Sequence, residues 1–147
     1  MKRLSRDSYL TAINNSVGSD AFRRYYARIH GKKVDVLRGG ELSCAFHVSS
    51  ILSMFRYIRR PHTTVNGTLH ALGAVGWKRI RKPRKGAILV WAEKKFKDGD
   101  THRHIGFYVG NSRAVSNSFK ARHPVSHHWT FRGKRNVELI LWHSKLN

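Results

Sequence analysis

The clearest strand pattern in the chain starts at a histidine and runs into a turn: His104-Ile105-Gly106-Phe107-Tyr108-Val109-Gly110-Asn111-Ser112. Residues 104–110 are rich in β-branched and aromatic side chains, which favours a strand. Asn111-Ser112 suits the tight connection of a hairpin, and residues 113–118 are again typical of a strand. This stretch therefore predicts two antiparallel strands joined by a short turn.

Further strands are predicted on both sides of this pair. Residues 87–92 form a β-rich run, and residues 129–131 and 137–142 are candidates near the C-terminus, with Gly133 turning between them. No helical pattern separates these segments. They predict an antiparallel meander and not a sheet of alternating strands and helices.

Helical patterns fill the first half of the chain. Apolar spacing over 4–28 predicts one helix up to Gly18 and a second that ends at Gly31. Residues 43–57 predict a strongly apolar, central helix, and residues 65–74 predict a shorter one.

Helices followed by antiparallel strands predict an α+β fold. The chain of 147 residues suits one domain around one core. We expect a helical part over about 1–76 and a β-sheet part over about 86–143.

The composition is extremely basic, with 29 Lys and Arg against 8 Asp and Glu and a formal net charge of +21. Such a charge attracts polyanions, so a non-enzymatic module that binds nucleic acid or another polyanion is one candidate function. No apolar run approaches the roughly 18 residues of a membrane-spanning helix. The basic N-terminus is not followed by an apolar stretch, so no signal peptide is expected.

Cys44 is the only cysteine, which excludes an intrachain disulfide and a multi-cysteine zinc site. With Ser43 as N-cap, Cys44 falls in the first turn of the helix over 43–57. Unpaired N–H groups and the helix dipole there favour a thiolate and lower the thiol pKa. The N–H of Cys44 can also face a developing oxyanion. Cys44 is thus the candidate nucleophile, the alternative being a buried structural thiol.

A thiol nucleophile needs a proton acceptor, and His104 at the start of its strand is the candidate base. Gly106 leaves room beside it for a substrate or another backbone. The imidazole also needs a partner that fixes its orientation, and the returning strand offers Ser116 and Asn117. We favour Asn117, whose amide oxygen can accept from the ring N–H, with Ser116 as the alternative.

Four other histidines, His47, His102, His127 and His128, have open roles. His47 lies three residues after Cys44 on the same helix, where it is poorly placed as a base. A zinc site is disfavoured because the histidines have no nearby cysteine or carboxylate partners in the sequence, and no metal is expected.

Three segments carry a family resemblance: Leu42-Ser43-Cys44-Ala45-Phe46-His47-Val48, Gly86-Ala87-Ile88-Leu89-Val90-Trp91, and the strand and turn from His104 to Asn111. Together they resemble the NlpC-type and CHAP-type papain-like cell-wall peptidases and amidases, over roughly residues 40–118. In these families the cysteine begins a helix, and the histidine starts a later strand of a barrel-like antiparallel sheet. The chain departs from the family at Ser43, where Asp is frequent, and at Ala45-Phe46, where Ser-Gly is frequent.

The resemblance implies a papain-like fold with Cys44 as nucleophile, His104 as base and a polar third residue on the next strand. In NlpC-type members that third residue is often a histidine about a dozen positions after the first, which lands on Ser116, with Asn117 one position beyond. The implied activity is a cysteine endopeptidase or amidase that cleaves a peptide amide bond, in peptidoglycan stem peptides, without a cofactor. Acyl transfer, or cleavage of a protein substrate on the same fold, is the alternative.

The expected partner is therefore peptidoglycan or another peptide, with an anionic polymer as a further partner of the basic surface. Under the peptidoglycan hypothesis the protein acts at the cell wall, and otherwise in the cytoplasm. The sequence does not predict an oligomeric state.

Overall fold

A computed structural model describes residues 1–96 and 99–147. Its helices are α1 (Ser5–Asn15), α2 (Cys44–Met54) and α3 (Val65–Ala74). Its strands are β1 (Tyr26–Ile29), β2 (Lys32–Asp35), β3 (Lys78–Arg79), β4 (Ile88–Lys95), β5 (Thr101–Gly110), β6 (Arg113–Asn117), β7 (Pro124–His128) and β8 (Val137–Trp142). Short 3-10 turns lie at Asp20–Phe22, Arg38–Gly40 and Ser144–Leu146. The predicted α+β class is confirmed.

Six strands form one antiparallel sheet in the order β3-β8-β4-β5-β6-β7. The central strands follow the chain as a meander, and β8 returns to pair with β4. The two outer strands, β3 and β7, are not paired with each other in the described part of the chain, so the sheet is open. The expected barrel-like curvature thus does not extend to a closed barrel.

The helices and the sheet share one hydrophobic core. Helix α2 buries Val48, Ile51 and Leu52 against it, as the helical spacing of its apolar residues predicts. Strand β4 is fully buried over its first residues, and β5 adds Ile105 and Phe107. Helix α2 packs directly on β5, and its first residue, Cys44, lies beside the backbone of Ile105 in the middle of that strand.

The predicted second helix up to Gly31 is wrong, because β1 and β2 form a hairpin there. Its turn is His30-Gly31, with φ of 47° and 77°, the left-handed conformation of a two-residue hairpin turn. Tyr26 and Ile29, two of the apolar residues whose spacing suggested a helix, are exposed. They do not form the buried apolar face of a helix.

Two further strands differ from the prediction. The strand expected at 129–131 is a turn, and the preceding segment, Pro124–His128, pairs with β6 instead. Residues 78 and 79, for which no strand is predicted, form β3, which pairs with the end of β8. In the described residues no helix combines the length and apolar character needed to cross a membrane.

Candidate active site

Cys44 is the first residue of α2 and is partly exposed in the wall of a cavity of about 580 Å³. Ser43 occupies the N-cap position, as predicted, but its side chain makes no capping hydrogen bond. The Ser43 hydroxyl is buried without a partner among the described residues. The first N–H groups of α2 are therefore not capped by this side chain.

The thiol does not have the lowered pKa expected at a helix start. The backbone N–H groups of Ile105 and Ala45 approach the sulfur and favour the thiolate, as does the charge of Arg135. Burial acts in the opposite direction, outweighs them and raises the pKa of Cys44. The resting group is thus a neutral thiol that must lose its proton during the reaction.

His104 lies on β5 and is partly buried in the same cavity. Burial, together with the charge of Arg135, holds its pKa well below the usual value, so the imidazole is neutral at pH 7. The Trp91 ring packs beside it, with centroids 5.1 Å apart. No hydrogen bond joins the His104 ring to the thiol among the described contacts; the sulfur instead approaches the N–H of Ile105, the next residue along the strand.

A chain of hydrogen bonds fixes the tautomer of His104. Nδ1 of His127 lies 2.8 Å from the carbonyl oxygen of His128, so this nitrogen carries the ring proton and Nε2 accepts. The Ser116 hydroxyl lies 2.6 Å from Nε2 of His127 and donates its one proton there. The same oxygen, 2.8 Å from Nε2 of His104, must therefore accept the His104 N–H. His104 is left with an unprotonated Nδ1, the lone pair a general base requires.

The third position is where the structure departs from the preferred assignment. Ser116, the alternative, contacts His104, whereas the Asn117 amide faces away from the imidazole and donates to the Gly40 carbonyl at 2.8 Å. Neighbouring residues on a strand point to opposite faces, so only one of the two can reach His104. Asn117 instead ties β6 to the loop that leads into Cys44.

Gly106 makes the contact between β5 and β6 possible. A Cβ added there would lie 2.7 Å from Cβ of Ser116 and 2.9 Å from the Val115 carbonyl oxygen. The close backbone approach predicted for this glycine is thus used by the neighbouring strand, which brings the Ser116 hydroxyl to the imidazole.

Two further residues belong to the site: His127, whose role the sequence left open, and Arg135, which had no sequence signal. His127 lies on the unpredicted strand β7 and stacks on Phe131, with ring centroids 4.1 Å apart. Arg135 lines the cavity, half-buried, and donates to the carbonyls of Ala92 and His102 at 3.1 and 2.8 Å. Only the pairing of distant strands brings them to Cys44.

The remaining histidines have separate roles. His47 is fully buried, its Nε2 bonds Ser16 at 2.8 Å, and burial lowers its pKa to about 3. His102 lines the cavity beside Phe96, and His128 accepts from the Thr130 N–H. Within the described residues no cluster of three or more metal-ligating side chains is found.

Comparison with known proteins shows a likeness of fold. No protein-family model matches the chain. No curated protein matches it either. A solved structure that is similar is NlpC2 from Trichomonas vaginalis, with a TM-score of 0.55 and 16% sequence identity. The match covers 95% of this chain and 48% of the other, so the chain spans about half the length of that structure. The α+β arrangement described here is therefore similar to an NlpC-like fold.

Proposed function

We propose that the protein is a cysteine hydrolase that cleaves a peptide amide bond, with Cys44 as nucleophile, His104 as base and Ser116 as the third residue. The observation that carries the proposal is the hydrogen-bond chain from His128 through His127 and Ser116. It orients His104 and leaves Nδ1 free in the cavity that also holds Cys44.

In the proposed acylation step, Nδ1 of His104 takes the thiol proton as the Cys44 sulfur attacks the substrate carbonyl carbon. The C–N bond of the tetrahedral intermediate then breaks. The imidazolium returns the proton to the departing amine, and a thioester remains on Cys44. Water attacks this thioester with His104 again as base, which releases the carboxylic acid and restores the thiol.

Negative charge on the carbonyl oxygen would be stabilised at the start of α2. Backbone N–H groups of the first turn, that of Cys44 among them, have no intrahelical acceptor. A helix N-terminus also carries partial positive charge, which favours an oxyanion. These donors would therefore act on the intermediate more than on the neutral amide.

Peptidoglycan stem peptides are the proposed substrate. The support is the resemblance of the segments around Cys44 and His104 to the NlpC-type and CHAP-type enzymes, together with the NlpC-like fold. Acyl transfer to an amine is the competing use of the same thioester. With this substrate the protein would act at the cell wall.

The test is the Cys44→Ala variant against the wild-type protein, with purified peptidoglycan and mass spectrometry of the released fragments. We expect new peptide termini with the wild type and none with the variant, while both show the same thermal unfolding. An added amine distinguishes transfer from hydrolysis by the mass of the product. Full hydrolysis by Cys44→Ala would refute the proposal.

Polyanion binding is a second candidate function, favoured by the imbalance of charge. The chain has only eight acidic residues, and among those described Asp20, Asp35, Glu41 and Glu138 already form ion pairs. Most of the 29 Lys and Arg therefore have no carboxylate to pair with. Cys44→Ala should bind a DNA duplex or poly(glycerol phosphate) as the wild type does, with an affinity that falls steeply with salt. Equal affinity at low and high salt would argue against this function.

A further inference from the structure

Arg135 is a fixed cation in the wall of the cavity that holds Cys44 and His104. Its Nε and Nη2 groups donate to the backbone carbonyls of Ala92 and His102, which set the orientation of the guanidinium plane. Nη1 makes no hydrogen bond with the described residues. One edge of the fork is therefore held by the protein and the rest is free to bind.

Other charged side chains around the cavity form ion pairs with one another. Glu41 binds Arg122 at 3.2 Å, and Arg103 binds Glu138 at 3.0 Å. Glu93 also lines the cavity, but it is exposed on β4 and forms no ion pair with Arg135 in the described structure. Among the residues that the structure describes, half-buried Arg135 thus has carbonyl partners and no carboxylate.

A half-buried guanidinium that lacks a counter-ion is costly unless a ligand supplies one. Its flat fork of N–H donors matches the two oxygens of a carboxylate, which it can bind with two parallel hydrogen bonds. The Arg135 charge also acts electrostatically on Cys44 and on His104, so an anion bound there lies near the reacting atoms.

We propose that Arg135 is the specificity residue of the cavity and binds a substrate carboxylate next to the scissile amide. This inference rests on the proposed function and narrows its substrate class to peptides with a free carboxylate beside the bond that is cut. Neutral peptides, or peptides amidated at that position, should be poorer substrates.

The test uses alkylation of Cys44, which does not require the natural substrate. The probes are iodoacetate, which carries a carboxylate, and iodoacetamide, its neutral counterpart. The rate ratio of the two reagents is measured at pH 8.5 by mass spectrometry and normalised to the ratio for the urea-unfolded chain. The variants are Arg135→Gln, Arg135→Lys and the matched control Arg132→Gln, which removes an exposed arginine of the same loop.

We expect the native protein to react preferentially with iodoacetate. Arg135→Gln should lower the ratio of the iodoacetate rate to the iodoacetamide rate about tenfold, because a close charge pair in a partly buried site contributes a free energy of that size. Arg135→Lys should retain part of the preference and Arg132→Gln nearly all of it. An unchanged ratio in Arg135→Gln, or an equal fall in Arg132→Gln, would overturn the role of Arg135.

Wild-type protein provides a second measurement that does not depend on the folding of a variant. Glutarate should slow iodoacetamide labelling of Cys44, and glutaramide should not; equal protection by both would overturn the inference. A reactive Cys44 with anion preference but no peptide hydrolysis would refute the proposed function alone. A thiol that neither reagent reaches in the native state would overturn both.

Discussion

At the level of the single residue, Ser116 connects the candidate site, because its hydroxyl contacts both His104 and His127. A hydroxyl has one proton to donate, and His127 takes it, so the same oxygen can only accept from His104. An asparagine at this position would present either an amide oxygen or an N–H group to each ring, and its orientation would not be determined. The small serine fits because Gly106 opposite has no side chain.

Removal of the hydroxyl should therefore impair catalysis without unfolding the protein. In Ser116→Ala the His104 N–H loses its acceptor, and the imidazole can rotate or change tautomer. We expect the hydrolysis rate constant to fall about 10²-fold, as for a general base that is no longer held in place. His127→Phe should give a smaller loss, since Ser116 can still accept from His104.

The control is Asn117→Ala, which breaks the contact with Gly40 but not the chain of hydrogen bonds. Its effect should lie mainly on stability, measured by urea unfolding. A Ser116→Ala enzyme with wild-type rate and pH profile would show that the chain does not position His104.

The protonation state of Cys44 gives a second prediction at this scale. Burial raises the thiol pKa, and burial also lowers that of His104, so the neutral pair is favoured at rest. Iodoacetamide labelling of native Cys44 should rise with pH, with a midpoint above that of the unfolded chain. A midpoint below the unfolded value, measured by mass spectrometry, would indicate a resting thiolate–imidazolium pair instead.

At the scale of elements, the periodicity of apolar residues predicted correctly those segments that are both regular and buried. Helix α3 and strand β8 occupy the predicted ranges, and Asn111-Ser112 forms the hairpin turn with φ of 51° and 58°. Cys44 could be chosen because it starts such an element, and His104 because it lies in one, although β5 begins three residues earlier than expected, at Thr101. The hairpin of β1 and β2 was missed because aromatic residues on an exposed ribbon can match helical spacing by chance.

The rest of the site could not be predicted, since it depends on strand pairing. The choice between Ser116 and Asn117 depends on the register of β5 and β6, which a one-residue slip reverses. His127 and Arg135 reach the cavity only because β7 and β8 join the sheet on opposite sides of β4 and β5. No local pattern in the sequence encodes that order.

A substitution of Gly106 tests the importance of the close backbone approach between β5 and β6. In Gly106→Ala the new methyl group meets Ser116 Cβ and the Val115 carbonyl below 3.0 Å. We expect a loss of about 1–3 kcal/mol of stability, as for other overpacked sites, together with lower activity because Ser116 is displaced. Urea unfolding and the hydrolysis assay measure the two effects.

Gly73→Ala is the matched control for this prediction. Gly73 lies within α3, and an added Cβ there meets nothing within 4 Å. The substitution should stabilise the helix by roughly 0.5–1 kcal/mol. If Gly106→Ala were as well tolerated as Gly73→Ala, the two strands would have to be free to move apart.

At the scale of the whole molecule, the core contains histidines that resist protonation. His47 packs edge-on against Phe22 and Phe107, and its Nε2–H donates to Ser16, whose own proton is used on the Ile13 carbonyl. Its Nδ1 is buried without a partner among the described residues, so a second proton would have no acceptor. His104 and His127 are also partly desolvated, and both pKa values are lowered in the same direction.

Acid should therefore begin to destabilise the fold at pH values well above those at which carboxylates titrate. The unfolded chain takes up a proton at His47 near pH 6.5, whereas the folded protein does so only near its pKa of about 3. This contribution to stability is complete above pH 6.5 and is lost as the pH falls towards 3, at about 1.4 kcal/mol per pH unit. Urea unfolding at pH 7, 6, 5 and 4 should show the slope.

His47→Leu removes one of these groups while it keeps an apolar side chain in the core. The variant loses the bond to Ser16 and should be less stable than the wild type at pH 7. Its stability should nevertheless fall less steeply with acid, by the slope of one proton, so the two curves converge below pH 6. Parallel curves for the wild type and His47→Leu would mean that His47 takes up its proton in the folded state, and that the core around α2 admits water.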